Sequence, residues 1–412
     1  MKPKFRIVII GAGFGGLNLA LGLAKQSSSQ TPLEIILIDK RPYHLFIPNL
    51  YAVATGAEEL ASVQDLKKSV ALNFNEILDK QRITFVLGEV GEVDEAQKIV
   101  KISNKSIAYD ALVLAMGSKA SFLNVPGAEQ YALPLKNLPD ALRIKNAIEF
   151  AVQLKQFETQ KRKIVIMVAG GGYAGTEIAC ELCSLLDFLA WKYQVLRNQI
   201  EVQVIESGNA LVTAMGSQSS EAVARRLQAL GVTVKIQSRI QTVREGSVDL
   251  ESGEHLNFDV LIWTVGIAGV DLPKGLSLNT DKNHRVITDE YLRAQNRQNI
   301  FVIGDLAKIV YQATEVPASA QDALHQAKYL SQALASFFQN QLPKVYKPKY
   351  HGFILAIGKK QAIVNIWPVF WQGKLAYVAH EIAHLGYYAS IIGWWKALKY
   401  CLLAHKLFSK HD

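Results

Sequence analysis

The chain has 412 residues, 50% of them apolar and 20% charged, an ordinary globular composition long enough for two or three domains, which excludes a disordered or collagenous chain. Its formal charge of +9 is unevenly spread: the last 72 residues hold ten Lys, no Arg and two acids, a net +8, with four of the six Trp. Three cysteines are too few for a disulfide scaffold and point to a reducing compartment.

In chain order, the first element is an apolar run from Phe5 to Ile10, too short for a signal-peptide core or a spanning helix. It predicts a strand that opens onto Gly11-Ala12-Gly13-Phe14-Gly15-Gly16, then a helix from Leu17 to Ala24, then a second strand from Leu33 to Ile38 ending in Asp39. The same series returns: Ile164 to Ala169, Gly170-Gly171-Gly172-Tyr173-Ala174-Gly175, a helix through Leu186, and a strand from Glu201 to Ile205 ending in Glu206. In such a series the first glycine permits the tight turn, the second admits a pyrophosphate to the backbone, and the third lets helix pack on strand. The helix N-terminus supplies donors, and the acid accepts from ribose hydroxyls. Two such series in one chain imply electron traffic between two nucleotide cofactors.

Between and after them lie three strand ends. Ala111 to Gly117, with Ala115 and Gly117 at the turn, is a buried strand suited to a crossover between domains, and Leu261 to Gly266 repeats its form. Ile300 to Asp305 delivers one carboxylate past Gly304. Asp305 suits a helix N-cap or a cofactor sugar contact, the second favoured by the two nucleotide loops. Cys180 and Cys183 form a Cys-x-x-Cys inside the second helix, where packing is the expected role. The expected fold class is α/β, with two Rossmann-like dinucleotide-binding domains and a C-terminal membrane-associating segment. The domains are placed at 1–120 with 281–345, at 121–280, and at 346–412. No transmembrane segment and no metal site are expected.

These motifs, with the segment Tyr43-His44-Leu45-Phe46-Ile47-Pro48-Asn49-Leu50-Tyr51-Ala52-Val53-Ala54-Thr55-Gly56 after Asp39, resemble the two-dinucleotide-domain flavoprotein reductases, and within them the type II NADH dehydrogenases, non-pumping NADH:quinone oxidoreductases. The resemblance covers nearly the whole chain. It implies that Gly11, Gly13, Gly16 and Asp39 hold FAD, with Pro48 near the isoalloxazine, the Val90 backbone on adenine and Asp305 at the ribityl-phosphate end; Lys40, Phe46, Ala115 and Gly117 are further cofactor-binding candidates. By the same resemblance Gly170, Gly172, Gly175, Glu206 and Gly266 hold NADH. Glu177 lies near nicotinamide and flavin by resemblance, and as a first-turn acid it also suits the helix dipole. Glu206 repels a 2′-phosphate, which favours NADH, while the small Ser207-Gly208 leaves NADPH admissible.

Two departures concern the electron acceptor. Where the family shows Ala-Gln-x-Ala-x-Gln-Gln, this chain has Ala320-Gln321-Asp322-Ala323-Leu324-His325-Gln326, and where it has Asp-Lys-Gly, this chain has Tyr350-His351-Gly352. Gln321, His325 and His351 join Glu177 as the candidate catalytic residues, each histidine serving either as a quinone contact or as a structural residue. The Gly386 to Lys410 segment has imperfect helical amphipathicity, with Lys396, Lys399, Lys406 and Lys410 in one sector and Ile391, Trp394, Trp395, Leu398, Cys401 and Leu402 in the next. Basic faces beside Trp and Leu read as anchors on an anionic membrane surface. A dimer helix is the alternative, and the lack of Arg argues against nucleic acid.

The expected protein is therefore a peripheral membrane flavoenzyme of respiratory electron transport, on the cytoplasmic or equivalent reducing side. It takes hydride from NADH onto FAD and passes two electrons to a quinone. The alternatives are an NAD(P)H-dependent naphthoquinone or plastoquinone reductase of the same fold and a slow-turnover flavin redox sensor.

Overall fold

The computed structural model describes residues 5–27, 32–56, 63–79, 81–157, 162–339, 341–350 and 352–408. The chain forms two compact units, each assembled from three stretches: 1–44, 72–119 and 267–350 in the first, and 45–71, 120–266 and 351–412 in the second. The boundaries after 119 and 266 differ from the expected 120 and 280, and the 346–412 region falls mainly within the second unit.

The first unit is built on a five-stranded parallel sheet. Its order is Ile300–Val302, Ala111–Leu114, Phe5–Ile10, Leu33–Asp39, Ile83–Leu87. Ile7, Val8 and Ile9 are fully buried, as a parallel strand covered on both faces requires, and this explains why the run is continuously apolar rather than alternating. The helices Phe14–Gln26 and Ala320–Phe338 pack on each other. They do so closely at Gly22, where a Cβ would come within 3.1 Å of the Ser331 Cβ. A three-stranded antiparallel meander, Glu92–Asp94, Ile99–Ile102, Lys105–Ala108, precedes the strand Ala111–Leu114.

The second unit repeats this plan. Its parallel sheet runs Leu133–Pro134, Val260–Trp263, Ile164–Ala169, Ile200–Ile205, Thr233–Lys235. A second antiparallel meander, Ile240–Arg244, Ser247–Leu250, His255–Asn257, precedes Val260–Trp263. In both units the strand that opens onto the glycines is central, and the strand ending in the acid lies beside it.

The C-terminal part is fastened to this sheet unit by polar contacts. Strands Phe353–Ala356, Ala362–Ile366 and Val369–Gly373 form an antiparallel sheet. Arg226 donates to the Ile357 and Gly358 carbonyls at 2.9 and 2.8 Å, and Asn365 donates to the Met215 carbonyl and the Ser219 hydroxyl at 2.6 and 2.9 Å. The helix Lys374–Ile392 follows, and then the helix Trp394–Phe408. Periodicity alone predicts one helix through this region; the structure breaks it at Gly393, whose φ of +79° ends the first helix in the left-handed region open to glycine. The two helices pack together, and the second also packs on Val63–Val70. Tyr388, Ala397 and Ala404 supply the buried side, so Ile391 is buried while Trp394, Trp395, Leu398 and Leu402 are exposed.

Candidate functional site: two glycine-loop cradles and an aromatic cluster

The two glycine loops have the same backbone geometry. Gly11 and Gly170 have φ of +99° and +100°, and the helix-capping Gly13 and Gly172 have φ, ψ of −73°, −161° and −75°, −166°. A Cβ on Gly16 would run into the Gly11 carbonyl oxygen, and one on Gly175 into that of Gly170. At Gly13 and Gly172 a Cβ would meet nothing within 4 Å. The third glycines are therefore demanded by packing, whereas the second face open space at a helix N-terminus, a setting that suits an anion.

The acids are preset in the same way. Asp39 is buried, and its Oδ2 accepts from the Ala12 amide at 2.8 Å while Oδ1 accepts from the Arg41 amide at 2.9 Å. Glu206 accepts from the Gly171 amide at 2.6 Å and from the Gly208 amide at 2.5 Å. Each carboxylate thus reaches across to the residue between the first two glycines. Backbone amides, a helix terminus and an oriented carboxylate are what a dinucleotide uses, so the residues present fit FAD or NAD at either loop.

Other predicted residues fall around these loops. In the first unit Ala115 is buried with its carbonyl against Gly11, and Gly117 takes φ +73°. Ser118 donates to Asp305 at 2.6 Å, and the Gly304 amide donates to the Gln326 side chain at 2.6 Å. Lys40 is exposed and paired with Glu89 at 3.2 Å, and Val90 is half-buried just past the strand Ile83–Leu87. Gln321 and His325 sit half-buried in the first turns of Ala320–Phe338. Burial raises the Asp322 carboxyl, opposed by the Ser319 hydroxyl and the His325 charge. His351 lies outside the described residues.

In the second unit Gly266 has φ +74° beside the Leu123 side chain. Glu177, half-buried in the helix Tyr173–Lys192, has its carboxyl pushed up to about 8, first by burial; the Ala356 amide lowers it and Glu181 raises it. Phe46 is 2% exposed and packs with His384, Tyr387 and Tyr388, its ring centroid 4.9, 5.5 and 4.7 Å from theirs. Pro48 is the second residue of the short 3-10 turn Ile47–Asn49. The buried Tyr51 hydroxyl is held well above its ordinary range by burial, then by the charges of Glu177 and Glu181.

Several residues of this surround escape sequence reading. His44 is fully buried, with Nδ1 donating to the Ala12 carbonyl at 3.1 Å, and burial lowers it to about 4. Only proximity to the loop identifies it. Ser118, which donates to Asp305, carries no local signal either, whereas Gln326, which accepts from the Gly304 amide, ends the Ala320 to Gln326 segment. His380 and His384 do carry one, a His-Glu-x-x-His spacing. Cys180 and Cys183 are free and buried, and burial pushes the Cys183 thiol up to about 11, so both are packing residues as expected.

Comparison with known proteins places this geometry. The model of the pyridine nucleotide-disulphide oxidoreductase family matches residues 5–327, and the chain belongs to that family; it is an oxidoreductase. Among individual relatives, it is 29% identical over 392 residues to the demethylphylloquinone reductase NdbB of a Synechocystis species, covering 92% of this chain and 91% of that protein. It is 28% identical over 408 residues to the type II NADH:quinone oxidoreductase NdhA of Mycobacterium tuberculosis, covering 93% and 83%. The structure of NDH2 from Plasmodium falciparum in complex with NADH shares the fold, with a TM-score of 0.82 at 20% identity over 98% of this chain and 97% of that one. The resemblance to type II NADH dehydrogenases read from the motifs is borne out by these relatives. Among the described residues, no helix is long and apolar enough to cross a membrane.

Proposed function

We propose that this protein is a type II NADH:quinone oxidoreductase that oxidises NADH through FAD and reduces a quinone without pumping protons. The observation that carries this is the duplicated cradle: two glycine loops of one geometry, each with its own acid hydrogen-bonded across the loop. The names of the relatives from Mycobacterium and Synechocystis supply the acceptor class.

In this reading the first unit holds FAD through Gly11, Gly13, Gly16, Asp39 and Asp305, and the second holds NADH through Gly170, Gly172, Gly175 and Glu206. When bound, FAD would supply the two-electron hydride chemistry. The chain's own residues orient and desolvate the reactants. Asp39 and Glu206 take ribose hydroxyls while their remaining lone pairs stay tied to loop amides. Quinone reduction needs two protons for two electrons, and Glu177, with its carboxyl near 8, holds one at neutral pH on a residue that burial has tuned for transfer. Gln321 and His325 are assigned to the quinone.

The C-terminal helices seat the protein on an anionic membrane surface. Trp394, Leu398 and Leu402 recur one turn apart and are exposed, as are Trp395, Lys396 and Lys399, an arrangement of insertion and charge attraction that suits an interfacial helix. A specialised naphthoquinone reductase is the second reading, favoured by the resemblance to a demethylphylloquinone reductase. Anaerobic titration of the purified flavoprotein with NADH, followed by reoxidation with a benzoquinone or a naphthoquinone, tests both. Flavin that NADH does not bleach, or that neither quinone reoxidises, rejects the assignment.

A further inference from the structure

The helix Lys374–Ile392 carries a group of ligating side chains that the redox reading does not use. It reads His380-Glu381-Ile382-Ala383-His384. Four residues are slightly more than one helical turn, so the two imidazoles share a face, and their ring centroids are 4.1 Å apart. His380 Nδ1 lies 3.3 Å from Glu381 Oε1. One ligand atom from each of the three residues lies within 4.8 Å of the others, the one such cluster among the described residues.

Two nitrogens and one carboxylate oxygen match the three-ligand set of an open zinc centre, whose fourth position is left to water. The set is too poor in oxygen for Ca²⁺ or Mg²⁺. The imidazole planes are held by neighbouring rings: His384 meets Phe46 edge-on at 4.9 Å, and His380 stacks on Tyr377 at 6.0 Å. Such surrounding contacts restrict the ligands before the ion arrives. Access exists, because His380 is 5% exposed while the Glu381 side chain is 34% exposed and opens the cluster to solvent.

We propose that His380, Glu381 and His384 bind one divalent transition-metal ion, with Zn²⁺ the best match. The site stands on its own ligand geometry and does not depend on the quinone assignment.

The test uses the full-length, flavin-loaded protein stripped with a chelator. Equilibrium dialysis against Zn²⁺ should show about one bound ion per chain, and Co²⁺ should give the visible bands of a four-coordinate centre. His384→Gln and Glu381→Gln should each weaken Zn²⁺ binding by at least the roughly 10–100-fold that loss of an outer-shell partner costs, while His255→Gln, on a surface strand of the same unit, should leave it unchanged. Because His380 is buried and its replacement could disturb folding, Glu381→Gln is the decisive variant, with retained flavin as its folding control. Failure of the wild type to bind Zn²⁺, or full affinity in the folded, flavin-retaining Glu381→Gln variant, overturns the proposal and leaves the histidines as packing residues.

Discussion

At the scale of single residues, the two shifted groups with the clearest consequences are Glu177 and His44, and they act in opposite directions. Burial raises the Glu177 carboxyl to about 8 from an ordinary 4.5, so the folded protein holds a proton there that the unfolded chain has released. Its contribution to stability is full below the ordinary value and is lost as pH rises through about 8. Thermal midpoints of the protein should fall over that window, and Glu177→Gln should flatten the fall. If Glu177 also supplies the proton for quinone, the same variant should slow quinone-dependent reoxidation by roughly 100-fold or more, with flavin reduction by NADH unchanged in rapid-mixing traces.

His44 runs the other way. Lowered to about 4 from 6.5 by burial, it is neutral when folded, and its stabilising effect is present above 6.5 and lost as pH falls through 4. Because its Nδ1 ties down the Ala12 carbonyl beside the first glycine loop, flavin release, followed by fluorescence, should rise as the protein is acidified across that range. His44→Leu should bind flavin more weakly at neutral pH, a lost hydrogen bond costing about 1 kcal/mol, and should lose the acid dependence. For Glu206, substitution by Ser removes the carboxylate that the proposed function assigns to the adenosine ribose. The NADH-to-NADPH preference, as a ratio of kcat/KM, should fall by roughly tenfold or more. A wild type that already prefers NADPH contradicts the assignment.

At the scale of elements, the paired loops allow a contrast that a merely structural turn would not show. Gly172 has an ordinary negative φ and empty space where a Cβ would go; Gly172→Val should leave the unfolding free energy nearly unchanged, within about 0.5 kcal/mol, while NADH titration shows weakened binding. Gly175 has no such room, because a Cβ there strikes the Gly170 carbonyl. Gly175→Ala should destabilise the protein by more than about 1 kcal/mol, and so should Gly16→Ala in the first loop. Equal effects of Gly172→Val and Gly175→Ala on unfolding would mean that the second glycine serves packing rather than a ligand.

At the scale of the whole molecule, the C-terminal helices are both fold and candidate membrane contact. Tyr388 and Ala397 are buried, and the Tyr388 hydroxyl donates to the Ser69 carbonyl at 3.3 Å. A chain cut after Leu385 should therefore lose stability in the second unit, and truncation is a poor probe of membrane binding. Lys396→Glu with Lys399→Glu changes only exposed positions. That variant should co-sediment less with anionic vesicles, by about 1 kcal/mol per lysine before the reversed charge is counted, and salt should weaken the wild type only in part. Unaltered co-sedimentation would reject the electrostatic share.

What the sequence by itself determined is what is written within a few dozen consecutive residues. The strand, glycines, helix and acid of each cradle are neighbours in the chain, and their backbone demands leave glycine at Gly11, Gly16, Gly170 and Gly175, so both loops, both acids and the α/β class are legible without coordinates. Only the tertiary structure decided the rest, because burial and partnership depend on residues far apart in sequence. Desolvation of Glu177, the Ala12 partner of His44, the Ser118 contact to Asp305 and the aromatic surround of Phe46 each join segments that no local pattern connects. The break at Gly393 is of the same kind: helical periodicity runs on across it, and the turn of chain that sends Trp394–Phe408 back against Val63–Val70 is set by packing.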